Sequence, residues 1–566
     1  MLKFFLEFIF LFSFFAISAI SYGYCLLRIF NINNVFYALA GIIGLFLYSF
    51  IITFLHFFIS ISEILNLIIL SLGLLIFIFT KRKFEIKKFK ISSENFLIFF
   101  FIIVIFFMSY GYKPHEDFGY YHLPYIKAFL AQKIIFGFVN ILEPYLWNSM
   151  FLNLSSVFVI PYFDLKGIFL VPLLFYFFFI LILFNEIFIK LKNQKFFYPS
   201  TIFSLIILFY FLLKFARVGA FGVDIPSHII ALLVILFFVK FFEIKNLSTK
   251  DRYNYIVLIF LLSIFSLTIK ISNISIIILF FSILFLNYKY LNFKNFFLPI
   301  TIILFFGLLW LIQQFIYSGC FLFPLNFSCF DTIWSSKANI KNILLSLEIT
   351  NKSFGVYKGP LSGSEYIQSF NWLQNWFSRN KIEFAEHFAV LIITPLLLLF
   401  INILKKDFKI KIFNIKSKAF YTSIILFVLI SFVIWFSKSP VARFAISFFI
   451  VALFYLIYFF IRKIVYLRLN YKTVLITILI CLTINLSKNS LRILQQDHID
   501  NFWPKINENK FITVDKITNN LYQNRPDSKL NPGHQGILCW NIDFICSYKN
   551  DKLKHKFYNN YLIIEK

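Results

Sequence analysis

Charge is scarce in this chain, and acidic charge most of all. Only 14% of the 566 residues are Asp, Glu, Lys or Arg, and 26 acidic residues stand against 54 basic ones. A soluble domain carries roughly a quarter charged residues, so the shortage excludes an ordinary globular protein. Nucleotide signatures are missing too: there is no Walker loop, no Gly-rich dinucleotide turn, no G-x-S-x-G and no H-E-x-x-H. A reaction catalysed by this chain therefore needs a donor that is not read by those motifs. The six cysteines include no C-x-x-C and no paired His, which argues against zinc. No repeat of 20 to 50 residues and no low-complexity linker is evident.

What the chain has instead is apolar length. Hydrophobic residues make up 60% of it, 86 of them Phe. Windows of roughly 18 to 22 apolar residues fall near 3–27, 36–58, 62–80, 95–111, 166–189, 198–214, 225–243, 254–269, 273–288, 295–317, 387–404, 420–436, 441–461 and 473–486. The expected fold is an all-α polytopic membrane protein of about fourteen spans. A further short or re-entrant helix is expected in 149–163. The first window starts basic but lacks a small-residue cleavage site, so it is expected to be retained. The membrane body occupies 1–486, and turn signals between short apolar runs make 487–566 a small mixed α/β region.

The basic residues cluster in alternate links: 81–90, 190–195, 240–252, 289–294, 405–418 and 462–472. Such links face the cytoplasm, and this pattern, rather than nucleic acid, accounts for the formal charge of +28. Loops 112–165 and 319–386 and the tail 487–566 are then external, as are both termini. Cys320 and Cys329 share one external loop, and Cys539 and Cys546 share the tail. Those short spacings in an oxidising compartment predict two local disulfides. Cys25 and Cys481 lie in or beside apolar windows.

The external loop after the fourth window reads Pro114-His-Glu-Asp-Phe-Gly-Tyr-Tyr-His-Leu-Pro124, with two carboxylates and two imidazoles in eight residues. Ionisable groups at a membrane edge mark function. A carboxylate there acts as general base on an incoming hydroxyl, and Asp117 and Glu116 are the candidates. Asp117 can alternatively cap an amphipathic helix over 118–133. His122 and Tyr121 are candidates for substrate contact. Lys214, Arg217, Lys270, Lys438 and Arg443 lie near external ends of spans, where a lipid-carried phosphate would need cations. Snorkelling to headgroups is the simpler role for Lys214 and Lys438. Arg217, Lys270 and Arg443 are the predicted phosphate ligands, with Asp224 and His228 as polar groups at the same level. A helix cap remains open for Asp224.

An acidic motif in the first large external loop of a many-span chain resembles the GT-C superfamily of integral-membrane glycosyltransferases. Within it the chain is similar to a largely uncharacterised family of bacterial membrane proteins whose loop reads approximately Asp-Thr-Gly-Leu-Tyr-His and then Gln-x-x-x-Trp. Asp117-Phe-Gly-Tyr-Tyr121-His122 and Tyr125-Ile-Lys-Ala-Phe129 match that loop. The likeness continues through Asn148 to Phe151, Ser318 to Pro324, Trp435 to Pro440, Arg443-Phe444 and Cys539 to Cys546. Phe118 and Phe129 depart from it, which puts substrate contacts in question. The resemblance implies an inverting transfer of sugar from a polyprenyl-phosphate carrier to an extracytoplasmic glycan or lipid acceptor in cell-envelope assembly. It places the chain in the bacterial cytoplasmic membrane with its active site facing outward and Asp117 as base. Transport of a lipid-linked sugar, or an oligosaccharide polymerase or ligase, are the alternatives. No cofactor is implied, and a divalent metal has no supporting residue pattern.

Overall fold

A computed structural model of the chain describes all residues except 1, 34, 81–92, 112–113, 193–195, 245–246, 291–292, 354, 356, 358, 404–408, 463–465, 469–470, 496–501 and 532. The basic segment 81–90, the start of 405–418, parts of the other basic links and Pro532 lie outside the described residues. Every apolar window nevertheless coincides with a helix. Among the described residues, eight of these helices are long and apolar enough to cross a membrane: Leu2–Ile29, Tyr37–His56, Leu165–Lys192, Asp224–Glu243, Thr249–Ile269, Asn295–Ser318, Lys418–Lys438 and Tyr471–Leu494. Five more, Glu63–Phe79, Glu94–Ser109, Pro199–Lys214, Ile271–Asn287 and Ile446–Ile461, are apolar but shorter. The window 387–404 is the second half of a helix that starts at Leu373. The protein is an all-α membrane protein with a small strand region at its C-terminus.

Association of helices in lipid gains little from apolarity and depends on close packing. The first two helices meet at backbone contact: a Cβ on Gly44 would stand 1.7 Å from the Ala19 carbonyl oxygen. Buried polar side chains add ties. Asn153, on the short helix Met150–Ser156, donates to Thr53 Oγ1 at 2.7 Å and to Gln313 Oε1 at 2.9 Å, and accepts from the Tyr125 hydroxyl at 2.7 Å. Two distant helices, those of Thr53 and Gln313, are thereby pinned to the loop that carries the acidic motif.

Polar residues also lengthen a helix beyond its apolar window. The last span was expected to end at 486, yet the helix runs on to Leu494. Asn485 and Lys488 donate to the carbonyls of Leu212 and Leu213, each at 2.7 Å, and Arg492 donates to those of Phe107 and Tyr110 at 3.0 and 2.9 Å. The last carbonyls of a helix lack internal donors, and here a neighbouring helix supplies them.

Two sets of strands mark the two ends of the bundle. Phe196–Phe197 pairs parallel with Lys409–Ile412, which pairs antiparallel with Tyr466–Arg468. Three links that charge patterning assigns to one side therefore meet in one sheet. The tail holds two hairpins, Phe511–Thr518 with Leu521–Pro526 and His555–Tyr558 with Tyr561–Ile564. It lies on the loop 112–165: Phe136 donates to the Leu562 carbonyl at 3.0 Å and accepts from Ile564 N–H at 2.9 Å. Cys320 is bonded to Cys329 and Cys539 to Cys546.

Candidate functional site

A cavity of about 950 Å³ opens among helix ends on the side away from the three-stranded sheet. Its wall takes the C-terminal ends of Pro199–Lys214 and Thr249–Ile269, the N-terminal end of Asp224–Glu243, and the turn before Ile446–Ile461. Asp117, Tyr121, His122, Arg217, Asp224, His228, Lys270 and Arg443 all line it. Glu116 does not. Its carboxylate accepts from Gln535 Nε2 at 3.2 Å and stands 3.7 Å from His534 in the tail.

The acidic loop enters as a helix, but with an irregularity. Phe118–His122 forms a π turn that leads into the regular helix Leu123–Ala131. Residues three and four apart share a face of an α-helix, whereas a π turn closes i onto i+5. That extra residue lets Asp117 and His122 reach the same cavity. Asp117 caps nothing, since its side chain accepts no bond from the turn that follows. Its Oδ2 instead lies 3.2 Å from His115 Nδ1. Burial alone would raise the Asp117 carboxyl, but the hydrogen bond with His115, with the charges of His122, His115 and Arg443, outweighs it and holds the group below the ordinary carboxylate range. The same hydrogen bond raises His115 against the opposing effect of burial. His122 is buried, and burial pushes it down to about 4. Neither of its ring nitrogens has a hydrogen-bond partner among the described residues.

Across the cavity, Asp224 holds two cations. Its Oδ1 lies 2.5 Å from Lys270 Nζ and its Oδ2 3.4 Å from Arg443 Nε. Lys270 sits 3.5 Å over the Phe444 ring, and His228 is hydrogen-bonded through Nε2 to the Arg443 carbonyl at 2.7 Å. Asp224 is the first residue of its helix, and its carboxylate is turned to the two cations. Arg217 is exposed at the same wall. Lys438 points elsewhere, to Glu348 at 3.0 Å. Lys214 lines the cavity but is paired with Glu386 at 2.7 Å.

Several lining residues were not among the sequence candidates. His115 stands in the motif itself, two residues before Asp117, and gains its role from the Asp117 contact. His387, whose Nδ1 meets the Tyr210 hydroxyl at 2.5 Å, falls inside an apolar window. Lys488 and Arg492 were read as the beginning of the tail; with Asn485 and Asn489 their spacing of four is the helical signal that finds them. Counting these, six Lys or Arg side chains face the cavity against three carboxylates, an environment for an anion.

Residues 1–450 match the model of a family described as a domain of unknown function, DUF8201. The chain belongs to that family. No curated protein and no solved structure matches it. The DUF8201 match takes in Asp117, Asp224, Lys270 and Arg443, and ends before the tail that rests on the acidic loop.

Proposed function

We propose that this protein is a glycosyltransferase of GT-C type, with about fourteen spans in a bacterial cytoplasmic membrane and its cavity open to the exterior. The observation that carries the reading is the meeting, in one cavity, of a His-paired carboxylate with a Lys–Asp–Arg cluster. A sugar carried on polyprenyl phosphate uses both. The acceptor hydroxyl oxygen bonds to the anomeric carbon while its proton passes to Asp117. The bond from that carbon to the phosphate oxygen breaks from the opposite face, which inverts the centre, and the electron pair leaves with the phosphate. Lys270 and Arg443 face the leaving phosphate, where charge-assisted bonds stabilise it. Asp224 holds the two cations together in the absence of donor. The acceptor is a growing surface glycan or lipid.

The test is mass spectrometry of surface glycans from a strain that lacks the gene, complemented with wild type or Asp117→Asn. Loss of one sugar linkage, restored by wild type alone, is expected. Glycans unchanged by the deletion would sink the reading. Restoration by Asp117→Asn would favour movement of a lipid-linked sugar without bond formation, because transport needs no base.

A further inference from the structure

The tail reaches the acidic loop at the π turn itself. The Trp540 N–H donates to the Gly119 carbonyl at 2.8 Å, and the Tyr548 hydroxyl donates to the Tyr120 carbonyl at 3.0 Å. Trp540 is 1% exposed, and its indole lies so close that a Cβ on Gly119 would stand 2.3 Å from the ring. Lys127, one turn beyond His122, donates to the Asn541 carbonyl at 2.7 Å and pairs with Asp543 at 3.1 Å. Glu116, just before the turn, is held by Gln535 and His534. Most of these tail groups lie within or beside the loop closed by Cys539–Cys546, where Tyr548 also accepts from Cys539 N–H at 3.1 Å.

We infer that the disulfide-closed loop 539–546 is a clamp that holds the π turn, with Trp540 and Gly119 as positioning residues that fix Asp117 and His122 on one face of the cavity. The inference rests on the transferase reading for its catalytic consequence, though not for its structural one. A π turn is less regular than an α-helix and persists where outside contacts maintain it. Without the clamp the segment relaxes towards a four-residue repeat, and His122 swings away from Asp117. The cavity's cation cluster, built from other elements, stays where it is. A misplacement of about 1 Å costs on the order of a hundredfold in rate, while ground-state binding of the donor phosphate is untouched.

The experiment compares wild type, Gly119→Ala, Gly119→Ala/Trp540→Ala and Cys539→Ser/Cys546→Ser as full-length proteins in nanodiscs. Hydrogen exchange over 116–125 is followed along with kcat and donor dissociation constant, using a panel of polyprenyl-phosphate sugars. Gly119→Ala and the Cys pair should lose exchange protection over 116–125 and at least about tenfold in kcat, with donor affinity within about twofold. The added Trp540→Ala makes room for the new methyl while leaving the backbone donor of residue 540, and should recover most of that loss. Unchanged protection and kcat in Gly119→Ala and the Cys pair would overturn the clamp. So would an equal loss of donor affinity and thermal stability, which marks a general folding role. If wild type turns over no donor, the transferase reading falls, and the exchange comparison alone decides the clamp.

Discussion

Successive residues of a helix point about 100° apart, and at the acidic motif that angle separates two carboxylates into different surroundings. Asp117 faces the cavity and His115; Glu116 faces His534 and Gln535 of the tail. Asp117→Asn should therefore cut sugar transfer by about a hundredfold or more with donor still bound, and Glu116→Gln should cost much less, read as initial rates in nanodiscs at saturating donor. Proton linkage adds a second expectation. Because Asp117 is held below the ordinary carboxylate range, it stays ionised as pH falls, and the acid limb of kcat should lie lower than that of an ordinary carboxylate. His115→Ala removes the hydrogen bond and the His115 charge and leaves only His122 and Arg443 to oppose burial, so the limb should move upward; a limb that stays put would separate His115 from the base. For stability the signs oppose each other. The Asp117 contribution is present above about pH 3.9 and is lost as pH falls through its lowered value. The His115 contribution is present below about pH 6.5 and is lost as pH rises through its raised value. The pair is partly exposed, so its effect on stability is small and its effect on rate is the one to measure. On the opposite wall, Arg443→Ala should weaken donor binding about ten- to 150-fold, whereas Lys438→Ala, whose amine is turned to Glu348, should leave it unchanged in the same binding assay.

Helices were legible one by one because lipid requires about twenty apolar residues to cross it, and each window of that kind became a helix. What was not legible are the elements decided by distant contacts. The π turn over Phe118–His122 arises in a segment whose carbonyls meet Trp540 and Tyr548 more than 400 positions away, as Gly119 and Tyr120 do. The extension of the last span to Leu494 depends on carbonyls of two other helices, since Lys488 and Arg492 taken alone read as polar tail. Of the site, Asp117, Asp224, Lys270 and Arg443 stand out because an ionised group at a span end is conspicuous, while His387, the first residue of the window 387–404, belongs to no motif. Met150–Ser156 shows how a short element is kept in place. Its Asn153 replaces apolar packing with bonds to Tyr125, Thr53 and Gln313, and Asn153→Ala should lower stability by about 0.6–1.7 kcal/mol, the range for such bonds between membrane helices. A thermal unfolding series in one detergent measures it, and an unchanged midpoint would remove the bonds from the account.

Over the whole molecule, function depends on which end of the bundle faces the cell exterior. The three-stranded sheet of Phe196–Phe197, Lys409–Ile412 and Tyr466–Arg468 lies at one end, and the cavity, both disulfide loops and the tail hairpins gather towards the other. The proposed orientation puts the sheet end in the cytoplasm, as its Lys and Arg excess favours, and the disulfides in a compartment where thiols are not kept reduced. In the proposed orientation the cavity is out of reach of cytoplasmic nucleotide sugars, which is why the proposal assigns it a lipid-carried donor. Single cysteines placed at Lys416, Ser336 and Asn531, in a background with Cys25→Ser and Cys481→Ser and the two disulfides intact, decide it. An impermeant maleimide on intact spheroplasts should label Ser336→Cys and Asn531→Cys and spare Lys416→Cys until the membrane is opened. The reverse pattern would invert the molecule, expose Asp117 to the cytoplasm, and remove the reason for a polyprenyl-phosphate donor.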